Sequence, residues 1–498
     1  MIRISSSHRR LLRTAAVTAA VALVLTGCGS RLDRASVVAA ESGELAQRLA
    51  EAQANNAAAA PATTDADPGA GVGAVAPGQT VDAPVAAGTS TGGTVATPTP
   101  AASATGGGGK ANTNGASTGK TPVAAGCAKQ GPPVVIGQVG AFSGLVGANT
   151  QGAVNTLPVW VRDVNARGGI GCHPVTLFQK DTASDPAKAE AAVKEMVNVR
   201  GAVALVASYA PLDIVGFRKG VESAKIVSIG GDQVTPDWHM SPYLYPVGGI
   251  ERAQFAGSAK ALQAKGVDKL AIFYCVESTA CTAFKDTLDK EGYAKKFGMD
   301  IVYQTQVSLT QNDFTSACQS AKNAGAKAVV FAGDAGGVQR TARSCATVGL
   351  SVPIVIAATQ ATFDPNDKNL QKATVSMASA IFPFTQQDNE AQKAFRTAMA
   401  RYNPTADINH AAALTWSSAK MLERAIELLG PSVHEVPLTR DHIMQGLGKI
   451  KKETLGGLIP ATSYTYNQKQ AAENLCYAAM AFDHRGFHAP QGSKFDCI

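Results

Sequence analysis

The chain has 498 residues, 45% of them apolar, which is enough to bury a sizeable core in about two to four domains. A net charge of +7 is small for this length, and the basic residues are dispersed among acids without an aromatic-rich basic patch, so nucleic acid is not an expected partner. Nothing in the composition indicates a membrane protein.

A lipoprotein signal is predicted at the N-terminus. Four arginines precede an apolar run over 15–25, the pattern of a secretory signal peptide. The run ends in Leu25-Thr26-Gly27-Cys28, which resembles the bacterial lipobox. We therefore expect residues 1–27 to be removed and Cys28 to carry a lipid. A plain signal peptide or a short membrane anchor is the alternative, and the Arg9-Arg10 pair leaves twin-arginine export open beside the Sec route.

The next segment has the composition of a linker. Residues 57–126 are mostly Ala, Gly, Thr, Pro and Ser, which bury too little surface to offset chain entropy. We predict that residues 28–126 comprise the lipidated N-terminus and a disordered tether with a typical span on the order of 45 Å. The glycine-rich run at 69–73 follows no strand, so we interpret it as low complexity.

Beyond residue 133, short apolar runs alternate with amphipathic stretches, which predicts an α/β fold with two doubly wound parallel sheets. The predicted strands are 134–139, 175–178, 203–207, 226–229, 270–274, 301–306, 328–332 and 354–357. The predicted helices are 152–166, 186–199, 212–223, 251–265, 282–290, 313–324 and 338–348.

Eight cysteines remain once Cys28 is assigned to the lipid, an even number that suits disulfides in an oxidising compartment. Sequence proximity suggests four pairs, although other connectivities stay open. No CxxC pair occurs and the histidines are scattered, so neither a metal nor a cofactor is expected. The suggested pairs are Cys127 with Cys172, Cys275 with Cys281, Cys318 with Cys345, and Cys476 with Cys497.

Several segments together resemble the type I periplasmic binding proteins, in particular the branched-chain amino acid and amide branch of ABC transporter substrate-binding proteins. The resemblance covers about 131–498. The segments that carry it are VIGQVGAFSG at 135–144, NARGGIG at 165–171, KDTASDPAKA at 180–189 and QNDF at 311–314.

This resemblance implies a two-lobed clamp that closes about a hinge of three crossing segments, near Gly249, Ala378 and Pro460. The first lobe would comprise 131–249 plus 379–459, and the second 250–378 plus 460–498. The implied protein is a lipid-anchored monomer on the outer face of the cytoplasmic membrane, which captures a small polar solute and delivers it to an ABC permease.

Ligands of open α/β sheets bind at the carboxyl ends of strands, so the loops there supply the candidate contacts. Similar proteins bind a ligand carboxylate with the serine after the third strand, here Ser208, which would otherwise cap a helix. The second lobe lacks the tyrosine and acid of the leucine-type relatives, which leaves amides, ureas and aromatic acids open as ligands. The candidates are Phe142, Ser143, Ser208, Tyr209, Gly231, Asp232, Glu277, Asp334 and Gln360.

The sequence argues against an enzyme and leaves a sensing function open. An α/β enzyme would need a nucleophile or a phosphate-binding loop, and neither a GxSxG elbow nor a P-loop lysine occurs, so no catalytic residue is expected. A ligand-sensing module of a signalling system remains the alternative, because the fold alone does not separate sensing from transport.

Overall fold

The computed structural model describes residues 127–358 and 361–498. The predicted signal, Cys28, the tether and Gln360 lie outside these residues. The strands are β1 Val134–Gly140, β2 Val175–Asp181, β3 Ala204–Ser208, β4 Ser228–Gly231, β5 Leu244–Tyr245, β6 Lys269–Cys275, β7 Asp300–Val307, β8 Ala328–Ala332, β9 Ile354–Ala357, β10 Val375–Ser379, β11 Cys476–Asp483, β12 Gly486–His488 and β13 Phe495–Cys497.

Helices alternate with these strands through most of the chain. They are α1 Gly147–Ala166, α2 Pro186–Asn198, α3 Ile214–Ala224, α4 Asp237–Met240, α5 Glu251–Gln263, α6 Thr279–Leu288, α7 Tyr293–Lys296, α8 Thr315–Asn323, α9 Ala335–Thr347, α10 Lys368–Ala373, α11 Glu390–Tyr402, α12 His410–Glu427 and α13 Arg440–Gly448. The local sequence determines where several of these helices begin. Asp185, for example, caps α2 by accepting hydrogen bonds from the backbone N–H groups of Ala187 and Lys188, and Pro186 is the first residue of the helix.

Two sheets organise the fold. The first has the order β2-β1-β3-β4-β5 and is parallel throughout. The second has the order β12-β11-β10-β9-β8-β6-β7, with β13 paired to β11; it is parallel from β10 to β7 and antiparallel at β11. The structure confirms the predicted α/β fold with two lobes, and each of the eight predicted strands overlaps an observed one.

The chain passes between the sheets three times. It leaves the first sheet after β5, returns after β10 through α11 to α13, and leaves again before β11. Hydrogen bonds tie the connecting segments together: Gly249 N donates to Ala380 O at 2.8 Å, and Phe382 N donates to Leu458 O at 2.8 Å. The Tyr464 hydroxyl donates to Pro246 O at 2.7 Å. These bonds place the connections side by side.

Four disulfides join the eight described cysteines in the pairs named from sequence proximity. A ring nitrogen of His434 lies within 4.8 Å of the sulfurs of Cys127 and Cys172. Because those sulfurs are bonded to each other, they are not thiolate ligands for a metal at this position.

Within the described residues, no helix combines the length and the apolar character required to cross a membrane.

Candidate functional site

A cleft lies between the two sheets, lined by loops at the carboxyl ends of six strands. The first lobe contributes residues after β1, β3 and β4, and the second contributes residues after β6, β7 and β8. Most of the wall is apolar, with single polar groups between, as is usual for small-molecule sites. The lining residues are Val146, Asn149, Thr150, Tyr209, Pro211, Leu212, Asp232, Val234, Ser278, Cys281, Leu309, Gly333 and Asp334.

On the first-lobe wall, Tyr209 and Asp232 are both almost completely buried. The Tyr209 hydroxyl donates to Ala411 O at 3.2 Å, which fixes the ring against α12. Asp232 accepts from two donors: Trp238 Nε1 lies 2.6 Å from its Oδ1, and Ala210 N lies 2.8 Å from its Oδ2. Burial raises the pKa of Asp232 to about 7, although these hydrogen bonds oppose the shift.

On the second-lobe wall, a disulfide and two helix caps fix the loops. The Cys275–Cys281 disulfide closes the loop after β6, in which Ser278 caps α6 by accepting from Ala280 N at 3.2 Å. Asp334 caps α9 through Gly337 N at 3.0 Å. The guanidinium of Arg340 lies 3.9 Å from the Asp334 carboxylate, but its hydrogen bond goes to Leu309 O at 2.8 Å.

Side-chain hydrogen bonds and apolar packing join the lobes across the cleft. Ser278 Oγ donates to Pro211 O at 2.6 Å, and Thr362 Oγ1 donates to Asn149 Oδ1 at 2.9 Å. Leu212, from the first lobe, packs against the apolar core of the second. We call these three contacts the clasp. They hold the loops of both lobes around one space.

Of the candidate residues, Tyr209, Asp232 and Asp334 line the cleft. The Ser208 side chain does not: its Oγ lies on the side of β1, where it accepts a long hydrogen bond, 3.5 Å, from Val139 N. Gly231 lies behind the wall, where a Cβ would stand 1.9 Å from Ser208 O, so only glycine permits this approach of β4 to β3.

The other candidates are placed around the cleft. Ser143 is exposed and donates to Asp181, whose carboxylate also accepts from Phe142 N at 2.9 Å, so both residues belong to a loop anchored on β2. The pKa of Asp181 is lowered, since these hydrogen bonds outweigh its desolvation. Glu277 accepts from Leu309 N at 2.9 Å and thereby positions a lining residue without lining the cleft itself.

Sequence reasoning missed several lining residues. Asn149 and Thr150 lie in the first turn of α1, whose start was predicted five residues late, at 152. Leu212 was predicted to be the first residue of a helix, but that helix begins at Ile214 and Leu212 lies in the loop before it. Ser278 could have been predicted, because a serine directly before a helix at the end of a strand is a typical helix cap.

A family model described as "Periplasmic binding protein" matches residues 133–482. The chain belongs to the periplasmic binding protein family. Members of this family bind solutes and are not enzymes. They act outside the cytoplasm, which supports export of this chain. No curated protein matches the chain.

Solved structures show the same fold. An ABC transporter substrate-binding protein from Aeropyrum pernix has 18% identity and a TM-score of 0.61, covering 74% of this chain and 97% of its own. A possible leucine/isoleucine/valine-binding protein from Rhodopirellula baltica has 12% identity and a TM-score of 0.61, covering 72% and 96%. A fatty acid ABC transporter substrate-binding protein from Thermomonospora curvata has 17% identity and a TM-score of 0.58, covering 73% and 93%. At these identities the likeness is one of fold.

Proposed function

We propose that this protein is an extracytoplasmic solute-binding lipoprotein that captures a small solute, such as an amino acid, an amide or a related compound, and delivers it to an ABC permease. The observation that carries the proposal is the cleft itself, which both lobes line and the clasp spans. A ligand there contacts both lobes only when they are closed, so it shifts the population towards the closed form.

The three connections between the sheets form the proposed hinge, and the lobes move about it as rigid bodies. The proposed lobes are 131–249 plus 379–459 and 250–378 plus 460–498. Tyr209, Asp232 and Asp334 contact the ligand, together with Asn149 and Ser278. Ser208, Gly231 and Glu277 act from behind the wall by fixing the loops that carry these contacts.

The lipid on Cys28 anchors the protein as a monomer to the outer face of the cytoplasmic membrane, where the permease is the partner. The disulfides support this placement, because such bonds persist in oxidising compartments. The solved relatives named for ABC transport and for leucine-type or fatty-acid ligands support transport of a small organic solute.

A thermal-shift screen of the purified chain against amino acids, amides, ureas and small organic acids tests the proposal. A ligand present at about 100 times its Kd stabilises the folded state by about 2.7 kcal/mol. Small-angle scattering of the same samples then measures closure as a fall in the radius of gyration. A ligand that stabilises the chain without compaction would contradict the hinge, and no stabilisation by any solute class would contradict the transport function.

A further inference from the structure

The cleft carries acidic groups and no basic side chain. Among the described residues that line it, Asp232 and Asp334 are the charged ones, and none is lysine, arginine or histidine. Arg340 stands next to Asp334, but it is committed to Leu309 O and does not reach the lining. A ligand carboxylate therefore meets no cation on these walls.

Asp232 also occupies the position at which the first lobe would bind an anion. Free N–H groups at the carboxyl ends of parallel strands are the usual anion donors of this fold class. Here the Ala210 N–H, directly after β3, and the indole N–H of Trp238 both donate to the Asp232 carboxyl group. The protein's own side chain thus consumes the donors that a ligand carboxylate would need.

The second lobe presents an acceptor in the same way. Asp334 uses Oδ1 to cap α9, and its side chain is 14% exposed towards the cleft. Two positive groups oppose these acids: the guanidinium of Arg340, 3.9 Å from the Asp334 carboxylate, and the start of α1, which has no side-chain cap and carries a partial positive charge of about half a unit. Arg340 offsets part of the Asp334 charge, but it is not among the lining residues, so a ligand at the wall meets the carboxyl groups first.

We propose that the cleft selects a small, largely apolar solute whose polar end is a hydrogen-bond donor, an amine, amide or hydroxyl, and that it rejects the corresponding carboxylates. The inference rests on the proposed solute-binding function and narrows it. The apolar body lies against Leu212, Val234 and Leu309, and the donor end meets Asp334 and Asp232. A carboxylate placed about 5 Å from an ionised Asp232 binds about 100-fold more weakly than its neutral counterpart.

The test uses matched compounds that share one apolar body and differ only in the polar end, with short, branched, cyclic and aromatic bodies in the panel. Leucinamide is compared with leucine, and isovaleramide and isopentylamine with isovalerate, by calorimetry at pH 8. We expect the amides and amines to bind at least tenfold more tightly than the acids. Equal or tighter binding of the acids overturns the selectivity while leaving solute binding intact, whereas no binding in either arm overturns both.

A variant locates the selectivity. Asp334→Asn keeps the cap of α9, because asparagine caps helices as well as aspartate does, but removes the charge. It should reduce the preference for donor ligands at least tenfold. Asp313→Asn is the matched control, since Asp313 is exposed and accepts from Thr315 N at 2.7 Å before α8, away from the cleft lining. An unchanged preference in Asp334→Asn, or an equal loss in Asp313→Asn, contradicts the proposal.

Discussion

Breaking the polar part of the clasp should weaken ligand binding by opening the clamp. The double substitution Ser278→Ala with Thr362→Val removes both hydroxyl donors, to Pro211 O and to Asn149 Oδ1, while keeping most of each side chain's volume. Each hydrogen bond contributes about 0.5 to 1.5 kcal/mol net. Their loss disfavours the closed form by about 1 to 3 kcal/mol, which raises the Kd by up to about 5- to 150-fold.

Calorimetry with the ligand found by the screen measures the change in Kd, and scattering measures the open fraction. Ser278 also caps α6, so its replacement costs about 1 kcal/mol of unfolding free energy, which denaturant titration records separately. The control is Ser316→Ala with Thr347→Val, two exposed positions on α8 and α9. Because Ser278 is also a proposed ligand contact, an unchanged Kd or an unchanged open fraction in the folded clasp variant, or the same changes in the control, would refute the assignment of these bonds to closure.

Three further predictions concern stability. Burial raises the pKa of Asp213 from 3.8 to about 6, so the folded state loses stability as the pH rises through this window. In urea titrations, Asp213→Asn should increase the free energy of unfolding by up to about 3 kcal/mol at pH 8 and should not increase it at pH 3. Burial lowers the pKa of His410 from 6.5 to about 3, so stability falls as the pH drops from 6.5 towards 3, and His410→Gln should flatten that slope in the same titrations. Replacing Cys275 and Cys281, which are 6 residues apart, with serines should lower the free energy of unfolding by about 2 kcal/mol and raise the Kd. Replacing Cys318 and Cys345, which are 27 residues apart, should lower the free energy of unfolding by about 3.5 kcal/mol and leave the Kd unchanged.

The fold was predictable because its alternation is local. Short apolar runs such as 328–332 and 354–357 are strands buried on both faces, which parallel sheets require, and the stretches between them carry helical spacing. The part after residue 358 was not assigned element by element. There α12 is buried over most of its length, with polar residues such as Thr415, Ser417 and Ser418 inside, so residue polarity does not separate its buried positions from its exposed ones.

The candidate site was predictable only to the level of loops. The rule that ligands bind at the carboxyl ends of strands identified Tyr209, Asp232 and Asp334, which line the cleft. The rule could not decide whether the side chain of Ser208 or that of Tyr209 lines the cleft, because the direction of each side chain depends on the backbone conformation. Ala207 has a positive φ of 51°, which interrupts the side-chain alternation of β3 just before Ser208. No local pattern announces such a conformation for alanine.

The two acids with raised pKa values lie close to the cleft, and their burial is costly to the fold. Raising the pKa of Asp232 from 3.8 to about 7 corresponds to a loss on the order of 4 kcal/mol of unfolding free energy above neutral pH. Both of its oxygens accept a hydrogen bond, from Trp238 and from Ala210, which an ionised carboxylate does better than a neutral acid, so these bonds offset part of that loss. The remaining cost is what the proposed rejection of ligand carboxylates explains, because Asp232 lines the cleft where the first lobe would otherwise offer these donors to an anion.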